Sequence, residues 1–100
     1  MSRALVIEPK AEAEIAEALN WYDQRSEAAR AGFERALEHA LMQIRDNPLQ
    51  FQRVYRQTRR VLVGHYPYAL IYAVNEQEIL IIACFHGRRD PRRWRERALR

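Results

Sequence analysis

Cysteine occurs once in these 100 residues, at Cys84, so no disulfide can form within the chain. Cys84 closes the apolar run Ile79-Leu80-Ile81-Ile82-Ala83-Cys84, which marks it as a small buried hydrophobe. No apolar run approaches the roughly 18 residues a membrane-spanning helix needs, and Met1-Ser2-Arg3 leads straight into strand-like sequence without the pattern of a signal peptide. Together these absences predict a protein of the reducing cytoplasm. Glycine is scarce, with three residues, and proline occurs four times, so no flexible linker divides the chain and a single domain over residues 1–100 is expected. Histidine is sparse and scattered, at His39, His65 and His86, and with one cysteine these make no ligand set; no metal and no cofactor is expected.

Lysine is nearly missing as well. Lys10 is the only one among 17 basic residues, and the rest are arginine, the side chain suited to bidentate recognition of phosphate and carboxylate. The charge is also segregated. Residues 1–52 hold six basic against nine acidic residues, net −3, and residues 53–100 hold eleven against four, net +7, which together give the formal +4 of the chain. A codon preference would explain arginine over lysine but not this segregation.

Hydrophobic periodicity divides the chain in two. Ala4–Ile7 reads as a short strand closed by Glu8-Pro9, and Pro9 suits the first turn of a helix. Ala11, Ile15, Ala18, Leu19 and Tyr22 then fall on one helical face, with Glu12, Glu14 and Glu17 in the half where the helix dipole favours negative charge. Trp21 and Tyr22 adjoin and cannot both face the sheet. Ser26 is a candidate N-cap for a second helix, whose stripe of Ala29, Phe33, Ala36, Leu37, Ala40, Leu41 and Ile44 runs to Asp46-Asn47-Pro48. Gly32 within it marks a close approach, expected to be between the two helices. Residues 9–46 thus form a helical hairpin with one apolar side.

Beyond it the period changes to two. Val61-Leu62-Val63, Tyr68–Val74 and Glu78–Phe85 read as strands, joined by connections short enough for an antiparallel meander. Tyr68, Leu70, Tyr72 and Val74 alternate with Ala69, Ile71 and Ala73, giving one bulky face and one smaller face. Asp90-Pro91 opens a short C-terminal helix carrying Trp94. The fold class is α+β, in the order β-α-α-β-β-β, with the helical hairpin on one face of a small, twisted antiparallel sheet.

The chemistry-bearing stretch is the end, Phe85-His86-Gly87-Arg88-Arg89-Asp90-Pro91-Arg92-Arg93-Trp94. An apolar strand delivers a histidine, a glycine and a cluster of arginines to one edge of the fold. Arg88, Arg89, Arg92, Arg93, Arg95, Arg97 and Arg100 lie close together with only Asp90 and Glu96 to offset them in that stretch, and such repulsion calls for an anionic partner.

The motifs Tyr66-Pro67-Tyr68-Ala69-Leu70-Ile71-Tyr72 and His86-Gly87-Arg88-Arg89-Asp90-Pro91 with Trp94 resemble those of the RelE/ParE superfamily of toxins from bacterial type II toxin–antitoxin systems. The opening helix, with Ala11, Glu14, Ile15, Ala18, Trp21 and Tyr22, is similar too, so the resemblance spans nearly the whole chain. It implies a small cytoplasmic toxin, held in a toxin–antitoxin hetero-oligomer by an acidic antitoxin that neutralises it. RelE-like members cleave mRNA on the ribosome; ParE-like members inhibit DNA gyrase and have no established hydrolytic site. RNA cleavage needs an acid, a base and cations for the phosphate. His86 has the intrinsic proton affinity for the first roles, and Arg60 and Arg89 with Arg88 fit the last. Leu62 and Ala69, however, stand where RelE-like nucleases carry further basic groups. The resemblance therefore leans to the ParE-like branch: a gyrase inhibitor, with an mRNA endonuclease or a non-toxic antitoxin-binding module as alternatives. For partner binding it points to Arg60, Arg88, Arg89, Arg92, Arg93 and Trp94.

Overall fold

Two helices and a short C-terminal one flank a five-stranded sheet in the computed structural model, which describes residues 3–99. Strand β1 (Ala4–Ile7) leads into α1 (Pro9–Asp23) and α2 (Glu27–Asp46), and these are followed by β2 (Arg53–Tyr55), β3 (Thr58–Leu62), β4 (Tyr68–Val74) and β5 (Glu78–His86). Helix α3 (Arg92–Arg95) and a 3₁₀ turn (Arg97–Leu99) close the chain. The strand order is β1-β5-β4-β3-β2, with β1 parallel to β5 and every other pair antiparallel.

Local chemistry sets the boundaries. Pro9 occupies the first turn of α1, where its missing amide hydrogen costs nothing. Ser26 caps α2, its hydroxyl accepting from the Ala29 amide at 2.9 Å. Asn47-Pro48 stops α2, and the Tyr72 hydroxyl donates to the Pro48 carbonyl at 2.6 Å, tying the exit loop to the sheet. Gly64 has φ of +52°, and a Cβ there would lie 3.1 Å from that of Ala36, so both the backbone and the tight contact favour glycine. Gly32 does mark a close approach, but its neighbour is the sheet side rather than α1: an added Cβ would stand 2.8 Å from the Tyr66 hydroxyl.

The helix-facing side of the sheet carries the main core. Phe33, Leu37, Ala40 and Ile44 of α2 and Ala11 and Ala18 of α1 pack on Leu70, Tyr72, Ile79 and Ile81. Each large apolar side chain buried there contributes about 1.5–3 kcal/mol. Tyr22 joins this core through Phe33, stacked at 4.9 Å, and leaves Trp21 outside. On the opposite side a smaller cluster, Ile71, Ala83 and Trp94 with Tyr55 and Phe85, seats α3. These are the bulky and smaller faces expected of β4.

Strand β2 was not legible in the pattern because three residues, Arg53-Val54-Tyr55, are too few to show a period. The turn through Arg56, at φ of +52°, and the Arg53 guanidinium bonding Gln57 hold it in place. The register shifts between β2 and β3, at Arg53/Tyr55, and again between β4 and β5: Ile71 faces Ala83 but Tyr72 faces Ile81, leaving Ile82 as an extra residue on β5. That bulge resets the alternation. Ile79 and Ile81 point to the helices before it, and Cys84 and His86 after it.

Candidate functional site

The end of β5 is fixed by its backbone. The Gly87 amide donates to Pro67 at 2.9 Å, and the Arg89 amide donates to the His86 carbonyl at 3.0 Å. The His86 ring participates as well: Nδ1 accepts from the Arg88 amide at 3.1 Å, which leaves Nε2 as the donor of the neutral ring. Asp90 Oδ1 then accepts from the Arg92 amide at 2.9 Å and so starts α3. The Arg92 guanidinium, 2.7 Å from Asp90 Oδ2, holds that carboxyl below its ordinary range.

The arginines of this edge fall into two populations, and here the sequence-based expectation is corrected. Asp90 and Glu96 are not the only counter-charges, because α1 supplies two more. Glu14 grips Arg97 through two bonds, at 2.8 and 3.0 Å, with the side chains only 20% and 11% exposed. Arg97 also donates to the Ile82 carbonyl at 2.9 Å, and Glu14 accepts from the Cys84 amide at 3.1 Å. Since β1 pairs with β5 only as far as Ile81, this ion pair covers backbone groups on the strand's uncovered edge. Its bond to Glu14 raises the pKa of Arg97, and the Glu14 charge adds to the burial that pushes the Cys84 thiol up to about 12. Glu17 pairs with Arg89 at 3.0 Å, in a more exposed setting. Arg60, Arg88 and Arg93 are exposed and make no ion pair among the described residues. Arg100 lies outside the described residues.

The three candidate catalytic residues are not gathered in one concavity: Arg89 meets His86 on one side of the sheet and Arg60 on the other. Arg60 pairs across the ladder with Ile71 and shares its face, away from α1 and α2. His86 pairs with Tyr68 and shares the helix-facing side, its ring 5.1 Å from the tyrosine ring. Arg89 stands on the ridge between them and borders a concavity on each side. The outer groove, about 340 Å³, has an apolar floor of Ala69, Ile71, Phe85 and Trp94 with Arg60 and Arg95 on its rim. Leu62 and Ala69 are direct cross-strand partners there, and Leu62 is 59% exposed. Trp94, 4% exposed, is part of the floor of this groove rather than a projecting anchor. The second concavity, about 360 Å³, lies on the helix side between Trp21, Tyr68, His86, Arg88 and Arg89. Among the described residues no group of three or more His, Cys, Asp or Glu side chains is placed to hold a metal ion.

Residues 5–91 match the family described as the ParE toxin of the type II toxin–antitoxin system parDE. The chain belongs to this family. Among solved structures it is similar to a chain of the chromosomal ParDE toxin–antitoxin system of P. aeruginosa, with a TM-score of 0.73 and 13% identity over 85% of this chain and 96% of that one. At that identity the likeness speaks for the fold. No curated protein matches.

Within the ParE fold the residues that sequence reasoning missed are Glu14 and Glu17. Read as partners of the helix dipole, they lie beyond the first turn of α1, where only Glu12 falls. Their spacing of three does place both on one helix face. What they meet is 72 and 83 residues away, and no local pattern encodes that.

Proposed function

We propose that this ParE-family chain is a cytoplasmic toxin that inhibits DNA gyrase and that a cognate antitoxin neutralises. The observation that carries this reading is the separation of His86 and Arg60 on opposite faces of the sheet, with the apolar pair Leu62 and Ala69 where a nuclease would need more cations. His86 shares its side of the sheet with Arg88 and Arg89 but not with Arg60, and general acid–base catalysis requires every group of the set within reach of one phosphate, so the three-residue centre is not assembled. The surface therefore favours docking over cleavage. Purified toxin is expected to block gyrase supercoiling in vitro, and His86→Ala is expected to retain that block. Normal supercoiling at saturating folded toxin would refute the gyrase reading. Codon-positioned mRNA cleavage abolished by His86→Ala would establish the endonuclease instead. Unimpaired growth on expression without the antitoxin would indicate a non-toxic antitoxin-binding module.

The outer groove suits an acidic, partly apolar antitoxin segment, with the hydrophobic side chains of the segment on Ile71 and Phe85 and its carboxylates toward Arg60, Arg89 and Arg95. Arg88, Arg92 and Arg93 extend the positive edge. Exposed charge pairs are screened by salt, so affinity is expected to fall as ionic strength rises. A salt-independent affinity would assign the binding to the apolar floor alone.

A further inference from the structure

The helix-side cleft differs from the outer groove in composition, and the antitoxin reading shares with it only Arg88 and Arg89. Its wall is Trp21, 46% exposed, while the protein's other tryptophan is buried and Tyr22 beside it takes the place in the core. Trp21 thus exposes an indole that the fold does not need for packing. The ring already accepts a planar cation: the Arg25 guanidinium carbon lies 3.1 Å from its centroid, and the same side chain is anchored to the Trp21 carbonyl at 3.1 Å. Facing this platform across the cleft are His86, Arg88 and Arg89. Because Nδ1 of His86 is engaged by the Arg88 amide, the ring has a donor to offer in either protonation state. The acid that faces this set is Glu17, and it occupies Arg89.

We propose that this cleft binds single-stranded nucleic acid, with one base taking the place of the Arg25 guanidinium against Trp21 and the adjoining phosphates held by Arg88 and Arg89. An exposed aromatic platform beside a cationic channel is the combination that recognises a stacked base and its backbone together. An acidic peptide would use the charge but not the flat ring, and its apolar side chains find the better floor on the opposite face. Glu17 acts here as an internal stand-in for phosphate, occupying Arg89 until a ligand displaces it.

The test is fluorescence anisotropy of a labelled oligothymidylate and of a glutamate-rich peptide of equal charge, titrated with full-length, antitoxin-free protein. The oligonucleotide is expected to bind more tightly than the peptide. Trp21→Ala is expected to weaken it about tenfold, as loss of one stacked base does, and Trp21→Phe to retain most of the affinity because it keeps a π face. Arg88→Ala should weaken binding more than Arg45→Ala, which removes an exposed charge of α2 away from the cleft, and Glu17→Gln should tighten it. The proposal is overturned if the oligonucleotide does not bind, if Trp21→Ala leaves binding unchanged, if Arg45→Ala matches Arg88→Ala, or if the peptide binds with the same dependence on Trp21. None of these outcomes depends on whether the toxin inhibits gyrase.

Discussion

The two arginines that reach back to α1 look alike in sequence and do different work. Arg97 is almost enclosed, bonded twice to Glu14 and once to the Ile82 carbonyl, while Arg89 meets Glu17 through a single contact with both partners well exposed. The contrast follows from what lies under each. Arg97 and Glu14 cover the part of β5 that β1 does not reach, Arg97 donating to the Ile82 carbonyl and Glu14 accepting from the Cys84 amide. Arg89 crosses a ridge open to solvent, where an ion pair contributes little. One is part of the scaffold and the other belongs to the surface. A count of positive charges at this end of the chain merges them.

The sharpest way to break that distinction is to remove the acid from each pair. Glu14→Ala leaves a nearly enclosed guanidinium and the Cys84 amide without their acceptor, and breaking such a pair is expected to cost about 2–4 kcal/mol. In urea unfolding this appears as a lower midpoint at an unchanged slope. Glu17→Ala is expected to cost about 0–1 kcal/mol. Equal shifts for the two variants would show that enclosure does not separate them.

A second measurement probes the same strand through pH. The Cys84 thiol, ordinarily near 9, is held at about 12 first by burial and then by the Glu14 charge. Between those values the unfolded chain has released this proton and the folded chain has kept it. The folded state therefore binds more protons, and stability falls as pH rises through that window, by up to about 1.4 kcal/mol per pH unit. Tyr72, moved from 10 to about 12 by burial, steepens the fall above pH 10. Cys84→Ala is expected to remove the decline between pH 9 and 10 in a series of urea titrations. A decline that persists in the variant would assign it to another group.

These contrasts also explain what the chain reveals before it folds. The helical hairpin, the β4–β5 meander and the cap at Ser26 are legible because their causes are local: a 3.6-residue stripe, a two-residue alternation, a hydroxyl three residues from the amide it accepts. The arginine edge is legible as a concentration of charge. The face on which His86 emerges is not, because the extra residue Ile82 shifts the alternation within an unbroken apolar run. Without the bulge His86 would emerge on the face of Leu80, away from the helices, and a reader counting by twos from Ile79 places it wrongly. Glu14 and Glu17 were visible but were read through their own helix, since their partners are brought near only by the fold.

A smaller effect is expected at the start of α3. Asp90 holds the Arg92 amide and guanidinium, and its lowered carboxyl pKa means that this contribution is present above the ordinary value of 3.8 and is lost as pH falls through the lower, folded-state value. Asp90→Ala is expected to leave the main core intact and to loosen α3, exposing Trp94 to acrylamide quenching. Unchanged quenching would show that packing on Phe85 and Tyr55, at 6.3 and 5.9 Å between rings, holds the tryptophan without the turn.

The smallest expected change in stability is the most informative about the surface. Glu17→Gln removes the counter-charge of Arg89 while keeping the side chain's size, and because the pair is exposed the unfolding free energy should move by no more than about 0.5 kcal/mol. What changes is the availability of the guanidinium, which borders both the outer groove and the Trp21 cleft. Arg89 released from Glu17 raises the positive potential on both sides of the ridge. The variant should therefore bind anionic ligands more tightly, and with a stronger dependence on salt, than the parent chain. A loss above about 1 kcal/mol, beyond the usual range for exposed pairs, would move Arg89 into the same class as Arg97 and leave recognition to the remaining exposed charges of the edge, Arg60, Arg88, Arg93 and Arg95 among them.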